Sequence, residues 1–446
     1  MDSIPARTDV VVIGGGPAGS MTAGLLARKG IAVVLLEKER HPRPNVGESL
    51  IPHVWPYLAR LGVDEAVRQA GYIRKSGAVA FWNGGLRRLR FRDFGYTQPA
   101  LHVERDHFDH LLLRRAAALG ADVHEETSAV RVDGLETDEC TVHYRRANGA
   151  ASENGVLRAR YVVDASGQAA VVARQLGLRQ FDEGLRFSSF WGYYHGGHYL
   201  TYDGAVRPFA ARRTDMPTTL ITAIGDWGWI WHIVLREEVS VGIILPQARL
   251  HELRAADAEA REDRFRQFIA QTPLLGDVMR GAEFIPGSLR GIRDYAYRPT
   301  RLAIGRCYLV GDAAAFVDPI NSVGVVFGMY AGALAAASIE RSLANGTAEE
   351  RCRALFENQY AARLALFRLL AVPHSEQYLS PAEIARARQV LAMSNPRERQ
   401  LMLLQSTMTH RSQNLRPVLA QLGVTEVPEH STLPLPDLSH LAPPAP

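Results

Sequence analysis

Lysine is almost missing from this chain. Of its 51 basic residues only Lys29, Lys38 and Lys75 are lysines, and none follows Lys75 in a sequence of 446 residues. Cysteine is nearly as scarce. Cys140, Cys307 and Cys352 are scattered without metal-ligand spacing and are too few for a disulfide framework, which fits a reducing cytoplasm. No apolar run approaches the ~18 residues of a membrane span. The apolar stretch VVVIGGGPAGSMTAGLLA is broken by glycines and preceded by no basic flank, so it reads as neither signal peptide nor membrane helix. A large excess of one charge is also lacking. A net charge of +4 over this length is weak evidence for a polyanionic partner, and no interleaving of aromatic and basic residues points to nucleic acid. What these absences leave is an ordinary globular composition, expected in the cytoplasm, with no membrane, nucleic-acid or metal role and length enough for two or more modules.

What is present begins with DVVVIG (9–14), a β-branched run that stops at a glycine-rich turn. A helix-compatible stretch and a second run, IAVVLLE, follow it. This is a β-α-β unit on a parallel sheet. In the turn, Gly14, Gly16 and Gly19 keep G-x-G-x-x-G spacing, with Pro17 and Ala18 between the last two. That spacing allows a tight turn, close approach of backbone to pyrophosphate, and close helix-strand packing, with the helix N-terminus facing the phosphates. Glu37 ends the second run, where a carboxylate accepts hydrogen bonds from both hydroxyls of an unphosphorylated ribose. RYVVDASG (160–167) and RCYLVGDAAAF (306–316) repeat the strand-to-turn pattern, and the latter supplies Asp312.

Two blocks, 77–100 and 171–290, are rich in aromatics and alternation, as in GDWGWIWHIVL, and read as a second, more antiparallel sheet. The expected fold is therefore α/β. A Rossmann-like nucleotide-binding module (1–76, 101–170 and 291–350) is interleaved with an antiparallel substrate-binding sheet (77–100 and 171–290). A C-terminal helical region (351–446) ends in a proline-rich strap or tail.

The glycine turn, DASG and GDAA, in that order, resemble the FAD-binding signature of the para-hydroxybenzoate hydroxylase-like flavoproteins. In that resemblance Arg105, opening the helix in VERDHFDHLL, reaches the flavin's phosphates or ribityl chain. Only one G-x-G-x-x-G is evident, so a separate flavin reductase is expected to supply FADH2. Past GDAA, Phe316, Pro319, Ser322 and Gly324 fit F-x-x-P-x-x-S-x-G, which is similar to the halide-site motif of flavin-dependent halogenases in the tryptophan halogenase superfamily. The resemblance implies chloride or bromide on Ser322, Val323 and Gly324, with Gly324 and Val325 also beside the flavin. In NVGESLIP, Gly47, Glu48, Ser49 and Pro52 match the family's strap, and Ser49 is expected to run beside the isoalloxazine. Trp229 and Trp231 match its tryptophan pair, a wall between flavin and organic substrate, although Val234 stands where proline is expected. The same spacing also describes two indoles packed on one strand face.

Lys75, Gly77 and Trp82 approximately match the segment that carries the family's catalytic lysine. By that resemblance, O2 and FADH2 give a flavin C4a-hydroperoxide that makes hypohalous acid. Halogen then passes through a tunnel and Lys75 to a small electron-rich aromatic (phenol, pyrrole or indole), free or on an acyl or peptidyl carrier protein, in natural-product biosynthesis. The chain's length looks more like the phenol and pyrrole halogenases than the tryptophan enzymes. An amine suits the step because burial favours its neutral form, whereas a guanidinium keeps its charge. The alternative is an FAD-dependent aromatic monooxygenase or a geranylgeranyl-reductase-like oxidoreductase.

Overall fold

The structure is a computed structural model that describes residues 3–371 apart from 83, 149–150, 182–185, 226 and 294, scattered positions between 381 and 404, and residues 431–436, 438 and 441. Helix is seen over Glu349–Ala371. The further helices expected over 383–393 and 398–410 lie largely outside the described residues.

The runs VVVI and VVLL are buried on both faces, as strands in the middle of a parallel sheet must be. Arg7–Ile13 pairs in parallel with Val33–Leu36 on one side and Ala151–Asp164 on the other. Asp122–His124 and Cys307–Leu309 extend the parallel order on either side. Parallel strands share a carboxyl edge. Gly14, Glu37, Asp164 and Gly311 therefore gather along one crevice although they span most of the chain. The helix Pro17–Ala27 packs on the long helix Gly324–Ala344 above this sheet.

A second sheet of nine strands runs in the order Glu283–Phe284, Phe187–His195, Val239–Pro246, Gly228–Val234, Thr219–Ile224, Gly77–Trp82, Gly85–Arg90 and Ser431–Leu433, with Arg290–Arg293 joined to Phe187–His195. Among these pairings only that of Thr219–Ile224 with Gly77–Trp82 is parallel. One face joins the main core through Ile221, Trp229, Trp231 and Ile233, and the other closes on Phe265, Ile269 and Leu275. The α/β architecture read from the sequence is the one observed, although the first sheet also carries antiparallel strands, Ala303–Ile304, Cys140–Asn148 and Thr127–Asp133, and the second sheet one parallel pairing. Where the proline-rich segment is described it acts as a strap, Ser431–Leu433 pairing with Leu86–Arg88 at the sheet edge.

Between the two sheets lies a sheet of three short strands, with Ala100–His102 in the centre and Ser49–Leu50 and Ile73–Lys75 on either side. His102 is in register with both Ser49 and Ile73, and Lys75 with Ala100. This small element brings the strap and the lysine together.

Candidate active site

A cavity of about 550 Å³ runs from the carboxyl edge of the parallel sheet to the inner face of the nine-stranded sheet. Its nucleotide end is lined by Gly14, Gly16, Pro17, Ala18, Glu37, Arg43, Arg105 and Asp312. Gly14 has φ +105°, and a Cβ there would meet the Ala165 carbonyl at 2.4 Å; one on Gly19 would meet the Gly14 carbonyl. A Cβ on Gly16 would meet nothing nearer than the Arg43 guanidinium at 3.6 Å. Gly14 and Gly19 are thus required by the protein's own packing. Gly16 leaves room at the start of the helix Pro17–Ala27, which fits a pyrophosphate approaching the backbone. Glu37 is buried and accepts from the Gly15 N–H at 2.6 Å through Oε2 and from the Glu39 N–H at 2.9 Å through Oε1. The carboxylate is therefore held rigidly at the strand end. These residues fit a dinucleotide.

Arg105 lies in this wall, but its donors are engaged within the protein. Nε and Nη2 form a two-pronged bond to Asp109 at 2.8 and 3.0 Å, and Nη1 donates to the Val46 carbonyl at 2.6 Å. The side chain thereby clamps the strap while still lining the nucleotide end of the cavity. Arg43, which the sequence reading missed, stands next to Gly16 and approaches Asp109 at 3.4 Å. No spacing rule marks it. Desolvation pushes the Asp312 carboxyl up to about 6, with Arg105 opposing the shift.

At the other end, Ser322 follows a short 3-10 turn, Pro319–Asn321, and takes a left-handed φ of +52°, unusual for a residue with a side chain. The strain turns the chain into the helix Gly324–Ala344, whose first N–H groups have no intrahelical acceptor. Ser322, Gly324 and Val325 line the cavity; Val323 is buried behind them. The Ser322 hydroxyl lies 2.8 Å from that of Ser49, and Lys75 Nζ donates to the same Ser49 oxygen at 2.6 Å. One side chain therefore joins the lysine to the serine of the helix start.

Lys75 is 2% exposed, donates also to Thr219 Oγ1 at 3.0 Å, and sits 5.3 Å from the Phe91 ring centroid. No carboxylate pairs with it among the described residues. Burial lowers its pKa to about 7, so neutral amine is present at physiological pH. Ser49 and Thr219 line the cavity and stand between it and the amine.

Trp229 and Trp231 are buried on the cavity face of Gly228–Val234, with ring centroids 6.0 Å apart. Trp231 Nε1 donates to Ser240 at 3.2 Å. His232, which follows Trp231 in sequence, is buried with no hydrogen bond to either ring nitrogen among the described residues. Glu48, also buried, accepts from the Tyr193 hydroxyl at 2.8 Å, and burial pushes its carboxyl up to about 7. Among the described residues, no group of three or more His, Cys, Asp or Glu is placed to hold a metal, and no helix is long and apolar enough to cross a membrane.

Residues 7–190 match the family model of the FAD binding domain. The flavin-dependent halogenase armH3 of Armillaria mellea is 32% identical over 366 residues, covering 78% of this chain and 70% of that one. The chain belongs to the flavin-dependent halogenases. Tryptophan 2-halogenase of Chondromyces crocatus is 35% identical over 76% of this flavin-dependent halogenase family member, which spans 62% of that relative's length. Among solved structures, the myxobacterial chondrochloren halogenase CndH superposes with a TM-score of 0.74 at 27% identity, covering 95% of this chain and 98% of that one. The flavin-dependent halogenase CmlS superposes with a TM-score of 0.70 at 27% identity, over 93% and 77%. The protein is thus an FAD-dependent enzyme, with halide and O2 as the co-reactants standard for the family.

Sequence reading named Lys75, Ser49 and Ser322 separately. It did not find Thr219, and it offers His102 only beside His41, His53 and His232 as a substrate-orienting base without choosing among them; the side chains of Thr219 and His102 complete the lysine's surroundings.

Proposed function

We propose that the protein is an FADH2-dependent halogenase that installs chloride- or bromide-derived halogen on an electron-rich aromatic, such as a phenol, pyrrole or indole, with FADH2 delivered by a separate reductase. The observation that carries this reading is the buried, carboxylate-free Lys75 joined through Ser49 to Ser322. Gly14, Gly16, Pro17, Ala18, Gly19, Glu37, Arg43 and Asp312 hold the dinucleotide, and Arg105 fixes the strap against it. When bound, the reduced flavin with O2 supplies the two-electron oxidation that turns halide into hypohalous acid.

The protein's own groups do the rest. The Ser322 hydroxyl and the amides at the start of Gly324–Ala344 bind the anion, since that helix end carries unpaired donors and partial positive charge. Trp229 and Trp231 fill the space between this turn and the nine-stranded sheet, exclude water, and keep an aromatic ring from the flavin edge. Lys75 acts on hypohalous acid. As a neutral amine, Nζ takes the halogen and releases water; as an ammonium, Nζ–H donates to the acid's oxygen and polarises it for attack by the arene. A pKa near 7 leaves both forms populated at neutral pH.

The test is turnover with FAD, a flavin reductase, NADH, and chloride or bromide over a panel of phenols, pyrroles and indoles. Halogenated product is expected by mass spectrometry, with a loss of about 100-fold or more in Lys75→Ala and Lys75→Arg. Hydroxylated or reduced product, or a Lys75→Ala enzyme as active as wild type, overturns the reading.

A further inference from the structure

We propose that His102 is a positioning residue that fixes the direction of the hydrogen bonds around Lys75, and that it acts through Thr219. The inference rests on the halogenase reading of Lys75. His102 is fully buried, with Nδ1 3.0 Å from the Val234 carbonyl and Nε2 2.9 Å from Thr219 Oγ1. A carbonyl only accepts, so Nδ1 must carry the proton. Burial also holds the imidazole well below its usual pKa, and the ring is neutral. A neutral ring protonated at Nδ1 has a lone pair at Nε2, so Thr219 must donate its one hydroxyl proton there.

The consequence falls on the lysine. With its proton committed to His102, Thr219 faces Lys75 as an acceptor only and receives an amine N–H at 3.0 Å. It cannot donate to the amine lone pair. Ser49 receives a second amine proton at 2.6 Å, and its own proton has two acceptors within reach, Ser322 at 2.8 Å and Thr219 at 3.2 Å. One backbone carbonyl, at Val234, thus sets the sense of the hydrogen bonds that run from His102 through Thr219 to Lys75. Without an acceptor at position 102 the Thr219 hydroxyl is free to turn and cap the lysine lone pair, which quenches it as a nucleophile without moving any backbone.

The geometry comes from the small sheet and its neighbour. His102 is in register with Ser49 across Ala100–His102, and Thr219 reaches in from the start of Thr219–Ile224. The imidazole touches no cavity surface of its own, so its effect must pass through the threonine.

The experiment compares steady-state halogenation of a phenol by wild type, His102→Leu, His102→Gln, Thr219→Val, Thr219→Ser and the double variant His102→Leu/Thr219→Val, with Lys75→Ala as a control and FAD binding measured for each. Gln can place Oε1 where Nε2 lies and accept from Thr219. The expected result is a drop in kcat of about tenfold in His102→Leu, with KM for halide and phenol unchanged, and recovery to within about threefold of wild type in His102→Gln. Thr219→Ser retains turnover. In the Thr219→Val background His102→Leu causes no further loss, because its target is already gone. If His102→Leu fails to fold, the Thr219→Val and Thr219→Ser pair tests the same hydroxyl, and equal kcat in those two overturns the proposal. So does wild-type kcat in His102→Leu, an equal loss in His102→Gln, or additive losses in the double variant. An active Lys75→Ala enzyme sinks the underlying reading of the lysine instead, and the two failures are thereby separated.

Discussion

Two buried ionisable side chains, Lys75 and Glu48, give the fold opposite dependences on pH. Lys75 has its folded pKa lowered to about 7 by desolvation. Between pH 7 and the unfolded lysine value the unfolded chain binds the extra proton, so stability is full above that range and is lost as pH falls toward 7. Glu48 has its folded pKa raised to about 7, again by desolvation first. There the folded chain binds the extra proton, so stability is full below the usual glutamate range and is lost as pH rises through 7. Lys75→Met should therefore gain most over wild type at neutral pH and below, the gain shrinking by pH 10. Glu48→Gln should gain above pH 7 and show no gain at pH 4. Each difference is on the order of a few kcal/mol. Urea unfolding across pH checks both, and parallel curves for the two variants would contradict the assigned burial. Keeping a lysine at such cost to stability is itself a sign that position 75 serves chemistry.

At the scale of elements, the position of the Trp231 ring depends on a glycine in the neighbouring strand. Gly242 is in register with Trp231, and a Cβ there would lie 2.1 Å from Cζ2 of the indole. Gly242→Ala must displace the ring, because the strand backbone between its two neighbours has little freedom to move. The expected outcome is a loss of about 1–3 kcal/mol in unfolding free energy and a fall in halogenated product per NADH consumed, as the barrier between turn and arene opens. Unchanged coupling would show that the indole position is immaterial. The alternation of Trp229 and Trp231 was legible in the sequence because a strand's period of two is local. Gly242 was not legible, since its role exists only through a partner strand. The same distinction explains the glycine turn: Gly14, Gly16, Gly19 and Glu37 lie within one β-α-β unit, whereas the acceptor that orders Thr219 arrives from position 102. Arg105 shows the limit from the other side. Its place at a helix start is local and was read correctly, but its partners, Asp109 and the Val46 carbonyl, give it a structural clamp that no helix pattern reveals.

Across the whole molecule, the α/β plan was readable because each sheet imposes its own pattern on the residues that build it: continuous apolar runs for the parallel strands, alternation for the antiparallel ones. How the sheets meet was not readable, since the three-stranded element between them has strands of only two or three residues. That junction ties the C-terminal strap to the chemistry. Ser431–Leu433 pairs with Gly85–Arg90, which pairs with Gly77–Trp82, and that strand begins two residues after Lys75. Leu438 packs on the second core, and the Leu441 carbonyl accepts from Arg280 at 3.0 Å. Without the strap, Gly85–Arg90 becomes an edge strand, and Arg87, Arg88 and Arg90 protect it from pairing with other copies. Truncation before Ser431 should therefore leave a monodisperse protein that still binds FAD, because the nucleotide crevice belongs to the other sheet. Unfolding free energy should fall by about 1–3 kcal/mol. Turnover should fall while FAD affinity holds, since the strands that position Lys75 have lost their outer support. Equilibrium FAD binding, denaturant unfolding and kcat measured on one preparation decide it: loss of FAD together with turnover would mean that the two sheets are a single cooperative unit, with the strap supporting both.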